Sequence, residues 1–303
     1  MKSPDFSFAI APATIRLGDL DVWRLGFGAM RLPGEGVWGE PSDPDAARAV
    51  LRRVRELGIN FIDTSWYYGP HVANRLIAEV LRPYPSDLVI ATKLGGKRLP
   101  DKGWAPAARP EELRLGCEDD LRALRLERID VVHLRYIATS GVPFAESLDA
   151  LIDLQREGKI RHLGLSNVAT PQIEAALRRT PIVTVQNAYS VAGGASQMAQ
   201  QAHALVDAPE AVVDMCTAHG IAFLPFFPLG VGRLGTHPAL IAAAERHRAT
   251  PAQIALAWLL ARSPVMLPIP GTSAVAHLDE NWAARQVALG AAEVEELAAA
   301  VRA

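Results

Sequence analysis

A single (β/α)8 TIM barrel is the fold that the sequence predicts for residues 1–303. Short apolar segments alternate with amphipathic helical segments about eight times along the chain. The apolar segments are nearly continuous hydrophobic runs, as expected for parallel strands that helices cover on both faces. No change in composition and no low-complexity linker marks a second domain. A doubly wound open sheet is the competing architecture.

Turn and cap residues predict the order of the elements. The break at Gly18-Asp19 in an alternating stretch predicts an N-terminal β-hairpin. Asp43-Pro44 is typical of a helix start, and Gly58 of that helix's end. The predicted strands cover 23–28, 59–63, 88–93, 129–134, 160–165, 182–185, 221–227 and 265–269. After the helix that starts at 44, helices are predicted at 72–81, 111–124 (after a long loop), 145–157, 171–178, 206–219, 239–247 and 252–261, with extra C-terminal helices at 274–285 and 291–302.

The overall composition excludes several classes of function. Acidic residues number 33 and basic residues 31, so the formal charge is −2, and no long run of one sign suggests nucleic acid or a membrane surface as partner. The two cysteines are far apart, which is typical of a reducing compartment and argues against a disulfide scaffold or a metal site. The longest apolar run, 254–261, is too short to cross a bilayer. We therefore expect a soluble cytoplasmic protein, of open oligomeric state.

Polar residues follow the predicted strands where function is found in such barrels, at the carboxyl ends. They are Asp63, Lys93, His133, Ser166-Asn167 and Gln186-Asn187. Each alone has a plain structural explanation as a turn residue, a solvated strand end or a satisfied core histidine. Their convergence on one mouth is harder to explain structurally, because burying an ionisable group is costly unless it is paired.

The pairing of these groups suggests proton chemistry. Asp63 and Lys93 come from adjacent strands and can form a buried ion pair. A lysine cation beside Tyr68 would lower the pKa of that phenol and make it a usable proton donor. His133 could hydrogen-bond a substrate oxygen. This set suits the reduction of a small carbonyl compound, with the hydride supplied by a nicotinamide and the proton by Tyr68.

Ordered motifs along most of the chain resemble the aldo-keto reductase superfamily. Residues 63–69 read D-T-S-W-Y-Y-G, which is similar to its D-T-A-x-x-Y-G signature, with Ser65 where alanine is usual. The resemblance continues in G-F-G-A-M (26–30), A-T-K (91–93), D-V-V-H-L (130–134), G-L-S-N (164–167), V-Q-N-A-Y (185–189), F-F-P-L-G (226–230) and I-P-G-T-S-A-V-A-H-L-D-E-N (269–281). Within the superfamily, the pyridoxal reductase-like and bacterial aldehyde reductase branch is most similar, and pyridoxal or aromatic aldehydes are the implied substrates.

The resemblance implies a site and a cofactor, NADPH, with NADH as an alternative. The implied catalytic tetrad is Asp63, Tyr68, Lys93 and His133. The nicotinamide carboxamide is expected on Ser166, Asn167 and Gln186, with Tyr189 stacked on the ring. Further cofactor contacts are implied for Gly28, Met30, Phe227, Pro228, Leu229, Gly230, Arg233, Gly271, Thr272, Ser273, His277, Glu280 and Asn281.

Two features depart from the family pattern or compete with it. Many relatives carry lysine and arginine where this chain has Gly271 and His277, which weakens the expected preference for NADPH over NADH. Residues 230–235 read G-V-G-R-L-G, a literal G-x-G-x-x-G, but they lie too late in the chain for the early βαβ unit that this motif requires.

The substrate pocket is expected to be lined by loop aromatics, namely Trp38, Trp66, Tyr67, Trp104 and Tyr136, together with Met30. Two other functions remain open from the residues alone. One is a non-catalytic nicotinamide-binding regulatory subunit of the same fold. The other is a barrel aldolase that uses Lys93 as a Schiff base, which pairing with Asp63 disfavours because a cation-paired lysine is a poor nucleophile.

Overall fold

The computed structural model describes residues 13–192, 209–230 and 234–302. The strands in these ranges are β1 (Thr14–Leu17), β2 (Leu20–Trp23), β3 (Phe27–Gly28), β4 (Phe61–Asp63), β5 (Val89–Leu94), β6 (Gly96–Arg98), β7 (Trp104–Pro106), β8 (Ile129–Arg135), β9 (Ile160–Ser166), β10 (Thr184–Ala188) and β11 (Ala222–Phe226). The α-helices are α1 (Pro44–Glu56), α2 (Val72–Leu81), α3 (Pro110–Leu124), α4 (Phe144–Arg156), α5 (Thr170–Leu177), α6 (Pro209–His219), α7 (Pro238–His247), α8 (Pro251–Arg262), α9 (Val275–Ala283) and α10 (Ala291–Arg302).

The predicted barrel is confirmed. Seven strands form one parallel sheet in the order β11-β10-β9-β8-β5-β4-β3, so neighbours in the sheet follow one another along the barrel path. Helices α1 to α6 connect successive strands of this sheet. The carboxyl ends of all seven strands therefore meet at one mouth.

An eighth, extended segment at 265–270 closes the sheet into a barrel. Towards β11, the Phe223 amide donates to the Val265 carbonyl at 2.8 Å and the Leu267 amide donates to the Phe223 carbonyl at 2.9 Å. Towards β3, the amides of Gly26 and Gly28 donate to the carbonyls of Pro268 and Pro270. Proline has no backbone N–H, so Pro268 and Pro270 cannot donate hydrogen bonds back to β3. The segment therefore lacks the regular hydrogen-bond ladder of the strand that was predicted for 265–269.

A close backbone approach fixes Gly28 at this junction. A Cβ at this position would lie 2.5 Å from the Ile269 carbonyl oxygen, well inside van der Waals contact. Only glycine lets β3 and the closing segment approach this closely. Barrel closure thus explains Gly28, whereas a Cβ at Gly26 would meet the side chain of Phe61 on β4.

Two hydrophobic layers hold the barrel. The inner layer includes Phe61, Val131 and Leu224 from the sheet, and the hairpin residues Leu17 and Val22 join it. The β1–β2 hairpin therefore covers the amino-terminal end of the barrel, opposite the mouth. The outer layer packs the helices against the sheet. Among the described helices, none reaches the length and apolarity of a membrane span.

Helix ends follow the predicted signals, while two strand predictions differ. Asp43 accepts the Ala46 amide at 2.9 Å, so α1 begins at Pro44 as expected. Trp23 belongs to the hairpin, and the first barrel strand is shorter than the predicted 23–28. The predicted long loop before α3 contains the antiparallel hairpin β6–β7.

A tight row inside the barrel gives a test of the packing. His133, Gly164 and Thr184 are register partners on β8, β9 and β10. A methyl group at 164 would clash with Thr184 Oγ1 and lie 2.7 Å from His133 Cδ2. We expect Gly164→Ala to lower the free energy of unfolding by about 1–3 kcal/mol in urea titrations, because the barrel interior cannot expand freely.

The matched control is Gly235→Ala, since no atom of the described residues lies within 4 Å of a Cβ there. Its effect should stay within about 0.5 kcal/mol. Equal costs for the two substitutions would contradict the proposed crowding at Gly164.

Candidate active site

A buried ion pair lies at the centre of the mouth. Lys93 Nζ, at the end of β5, donates to Asp63 Oδ2 at 2.6 Å and to the Thr64 carbonyl at 2.9 Å. The second carboxylate oxygen of Asp63 accepts Gln186 Nε2 at 2.7 Å. All three side chains are buried. Hydrogen bonds to both charged groups offset the cost of removing them from water, so the predicted Asp63–Lys93 pair is confirmed.

Tyr68 adjoins this pair from the turn after β4. Gly69, at φ 100°, turns the chain towards α2 and leaves the tyrosine ring 5.0 Å from Lys93 Nζ. The side chain is 7% exposed. Burial and then the Asp63 carboxylate raise the pKa of Tyr68, and Arg135 lowers it. The predicted lowering of this pKa by Lys93 is therefore wrong: Tyr68 is a protonated phenol, the form that a proton donor needs.

His133 is occupied by protein partners at both ring nitrogens. Nδ1 lies 3.1 Å from the Thr92 carbonyl, which only accepts, so this nitrogen carries the proton. Nε2 then accepts from Thr184 Oγ1 at 3.0 Å. Burial lowers the pKa of His133 to about 4, which keeps the ring neutral. The structure thus contradicts the expected bond from His133 to a substrate oxygen, because strand pairing leaves neither nitrogen at the mouth.

A second buried polar cluster supports the ion pair from behind. Asp120 on α3 accepts Thr92 Oγ1 at 2.6 Å and Asn74 Nδ2 at 2.5 Å, and the Asn74 oxygen accepts Thr64 Oγ1 at 2.7 Å. Thr92 precedes Lys93, and Thr64 supplies the carbonyl that Lys93 binds. Burial raises the pKa of Asp120 to about 7, although both of its hydrogen bonds lower it. This cluster holds the backbone on which the ion pair depends.

The expected carboxamide residues lie together, and one of them lacks a partner. Ser166 and Gln186 are register partners on β9 and β10. The Ser166 hydroxyl is buried and has no hydrogen-bond partner among the described residues. Asn167 adopts φ 63° and donates from Nδ2 to the Tyr136 carbonyl at 2.8 Å. An orphaned buried hydroxyl beside the ion pair is where a bound polar group would be satisfied.

Tyr189 does not face the mouth. Its hydroxyl donates to the Glu210 carboxylate at 2.8 and 2.9 Å, and its ring packs on Phe223 and Trp258 in the core. The expected stacking of Tyr189 on a nicotinamide is therefore contradicted, since this residue follows β10 into the helical layer. Phe226, at the carboxyl end of β11, instead presents a partly exposed ring.

The remaining expected cofactor residues fall into two loops, with Met30 in a short 3-10 turn after β3. One loop follows β11, where Phe227, Pro228, Leu229 and Gly230 form a turn closed by a 3.0 Å bond from the Gly230 amide to the Phe227 carbonyl. Arg233 lies outside the described residues. The other loop follows the closing segment: Gly271, Ser273 and His277 are exposed, while Thr272 and Asn281 are buried. Glu280 accepts Thr250 Oγ1 at 2.5 Å, which holds it against α8.

An aromatic wall flanks Tyr68. Arg98 lies between Trp38 and Trp104, with its guanidinium carbon 5.2 and 4.3 Å from the two ring centroids. Tyr67 contacts both Trp104 and Tyr68 with ring centroids 5.4 Å apart. Three of the predicted pocket aromatics, Trp38, Tyr67 and Trp104, are thus brought together.

The other two predicted pocket aromatics pack against neighbouring helices. Trp66 faces α3, where its Nε1 would lie 3.3 Å from a Cβ at Gly116, so its placement in the pocket is wrong. Tyr136 packs edge-on against Phe144 of α4. Chain neighbours in the W-Y-Y run diverge because consecutive residues of a turn point in different directions.

Three residues of the site were not predicted from the sequence, although each has a signal there: Asp120, Arg135 and Phe226. Asp120 lies at helical spacing from Leu113 and Cys117, on the buried face of α3. An acid on an otherwise apolar helix face indicates a buried polar contact. Arg135 follows His133 by two residues and so shares its face of β8. Phe226 ends an apolar strand at the mouth.

Comparisons with known proteins agree with this geometry. A model of the aldo/keto reductase family matches residues 24–302. Pyridoxine 4-dehydrogenase of Escherichia coli strain K12 is 46% identical over 281 residues, 91% of this chain and 94% of that protein. An uncharacterized oxidoreductase of Schizosaccharomyces pombe is 41% identical over 91% of this chain and 86% of its own length. The solved structure of an aldo-keto reductase from Klebsiella pneumoniae in complex with NADPH has a TM-score of 0.75 at 26% identity and covers 95% of each chain.

The raised pKa of Asp120 predicts a pH-dependent stability. Between the ordinary value of 3.8 and about 7, the folded state keeps a proton that the unfolded state releases. Stability from this group is therefore complete below pH 3.8 and is lost as the pH rises towards 7. Asp120→Asn removes this dependence, so the variant should gain free energy of unfolding relative to wild type between pH 5 and pH 8 in urea titrations.

Asp149→Asn is the control, because Asp149 pairs with Arg179 on the surface and is none of the neighbouring charges that shift the pKa of Asp120. Its difference from wild type should not change between the two pH values. A constant difference for Asp120→Asn as well would mean that Asp120 is ionised throughout this range.

Proposed function

The chain belongs to the aldo/keto reductase family, and we infer that it is an NADPH-dependent oxidoreductase that reduces an aldehyde or ketone to an alcohol. The complex of the Klebsiella pneumoniae relative with NADPH supports the choice of cofactor. The family match over residues 24–302 supports one barrel domain. Both cysteines are buried free thiols, as is typical of a reducing compartment, and this supports a place in the cytoplasm.

The substrate class that we propose is an aromatic aldehyde, with pyridoxal as the first candidate. The Escherichia coli relative is named for a dehydrogenase of pyridoxine and is 46% identical. In the wall beside Tyr68, the exposed ring of Trp104 and the partly exposed ring of Trp38 supply apolar surface for a ligand ring, and Tyr67 packs behind them. Aromatic lining with few polar groups is typical of a pocket for such a ligand.

The position of Tyr68 beside the Lys93–Asp63 pair is the observation that carries the proposed mechanism. When bound, NADPH supplies the hydride. Tyr68 donates its phenolic proton to the oxygen of the substrate, and solvent returns a proton to the phenolate. The charge of Arg135 favours that phenolate, while Asp63 and the Thr64 carbonyl hold the Lys93 ammonium 5.0 Å from the centre of the tyrosine ring.

The residues at the mouth suit a nicotinamide cofactor. The unpartnered Ser166 hydroxyl can bind the carboxamide, and the partly exposed ring of Phe226 offers a stacking surface. Ser273 and Thr272 precede α9, whose amino-terminal amides favour a phosphate. These residues would hold the cofactor with its reactive ring towards Tyr68.

The two alternative functions have weaker support. A Schiff-base aldolase needs a free neutral amine, whereas Lys93 donates to a carboxylate and a carbonyl. A non-catalytic binding subunit would not require a tyrosine kept protonated beside an ion pair.

The role of Tyr68 is tested by Tyr68→Phe. Loss of the proton donor should lower kcat for aldehyde reduction about a hundredfold or more, while the Kd for NADPH stays unchanged. Turnover is followed by NADPH absorbance and binding by fluorescence titration. Tyr84→Phe is the control, since the Tyr84 hydroxyl binds the Leu124 carbonyl away from the mouth. Near-normal kcat in Tyr68→Phe would refute the assignment.

The role of Ser166 is tested by a matched pair of serine variants. Ser166→Ala removes no bond from the free protein, so its Tm should be unchanged while the Kd for NADPH rises about two- to tenfold. Ser147→Ala removes a 2.7 Å bond to the Ala108 carbonyl, so it should cost about 1 kcal/mol of stability without changing the Kd. Unchanged NADPH affinity in Ser166→Ala would exclude Ser166 as a cofactor ligand.

A further inference from the structure

His133 does not offer a hydrogen-bond donor to the substrate oxygen opposite Tyr68. Both nitrogens of His133 are used by Thr92 and Thr184, and the neutral ring is fully buried. Rotating the ring away from these partners would leave a buried hydroxyl and a buried carbonyl unsatisfied, which is costly. A different side chain of β8 must therefore supply any donor from this wall of the mouth.

Arg135 is the side chain that β8 presents at the mouth. It is the last residue of the strand and lies two positions beyond His133, so it points to the same face. Its register partner is Ser166, which in turn pairs with Gln186, the residue that binds Asp63. These three side chains form one row across three neighbouring strands.

The guanidinium of Arg135 extends across the mouth towards the opposite strands. Its central carbon lies 5.8 Å from the ring centroid of Phe226, at the end of β11. The positive charge also acts on the two tyrosines, since it lowers the pKa of both Tyr67 and Tyr68. Arg135 is partly exposed, so a ligand that enters the mouth can reach it.

The charges around the mouth favour a developing negative charge. Asp63 and Lys93 offset each other in a 2.6 Å ion pair. Arg135 is a further cation, and its charge reaches Tyr68 beside this pair. A guanidinium also presents parallel N–H donors that match two neighbouring oxygen atoms, which a single ammonium does not.

We propose that Arg135 binds the carbonyl oxygen of the substrate opposite Tyr68 and selects carbonyl compounds that carry a second oxygen on the β-carbon of the carbonyl group. This proposal rests on the proposed reductase function. One arm of the guanidinium donates to the carbonyl oxygen, which gains negative charge during reduction, and the other donates to the adjacent hydroxyl or phenolate. Ortho-hydroxy aromatic aldehydes are the class that fits both the paired N–H donors of the guanidinium and the aromatic wall.

The test compares 2-hydroxybenzaldehyde with 4-hydroxybenzaldehyde as substrates of the NADPH-loaded enzyme. Their hydroxyls have similar electronic effects, but only the first places both oxygens within reach of one guanidinium. The kcat/KM of wild type should be about ten- to a hundredfold higher for the ortho compound, because that compound forms one more charge-assisted hydrogen bond. Arg135→Lys should keep turnover and lose most of this preference. Arg135→Met should lose the preference and most of the turnover.

A pH profile separates this role from a structural one. Because the charge of Arg135 lowers the pKa of Tyr68, Arg135→Met should move the alkaline rise of alcohol oxidation to higher pH. Arg156→Met is the control, since this exposed arginine of α4 pairs with Asp153, and it should leave both the preference and the profile unchanged.

Three outcomes would overturn the proposal. The first is wild-type reduction of both aldehydes without an ortho preference, which would leave the reductase function intact. The second is a preference and pH profile that survive in Arg135→Met. The third is loss of the preference in His133→Asn but not in Arg135→Lys, which would return the role to the histidine. Wild type that reduces neither aldehyde, nor any other carbonyl compound in a broad panel, would refute both proposals.

Discussion

The ion pair between Lys93 and Asp63 is the interaction on which the rest of the site depends. Two opposite charges in a barrel interior are tolerated only when further hydrogen bonds satisfy them. Here Gln186 comes from the far side of the barrel, and Thr64 supplies a carbonyl from the adjacent turn. The pair therefore ties together β4, β5 and β10, and Tyr68 takes its position from the same turn.

The same requirement extends outwards from the barrel. Asp120, Asn74 and Thr92 connect α3, α2 and β5 through hydrogen bonds that end on the backbone beside Lys93. An acid whose pKa is raised to about 7 is a source of instability near neutral pH. Its retention in the core is consistent with a role in positioning Lys93, because an apolar residue at 120 would leave Asn74 without an acceptor.

Much of the fold could be predicted from the sequence because its signals are local. The Asp43-Pro44 start of α1 and the apolar periodicity of α2 depend on neighbouring residues only. Asp63, Tyr68 and Lys93 were also predictable, since strand ends in a parallel barrel converge. The hydrogen bonds of His133 could not be predicted from the sequence. Its partners Thr92 and Thr184 lie on other strands of the sheet, and the sequence does not specify the register of those strands. The position of Tyr189 was predicted wrongly for a similar reason. Its hydroxyl is held in the core by Glu210, which lies 21 residues further along the chain.

The prolines of the closing segment have a consequence for how the chain avoids association while it folds. Before closure, a sheet of seven strands has two open edges, and an open edge is a template for pairing with another molecule. On the side that will meet β3, Pro268 and Pro270 offer carbonyls and no amides. A strand of another molecule could donate hydrogen bonds to these carbonyls but would receive none from the prolines. The amides of Gly26 and Gly28 in the same chain need only acceptors, and the two proline carbonyls supply them. The final seam of the barrel thus offers another molecule fewer hydrogen bonds than it offers β3, which disfavours edge-to-edge association.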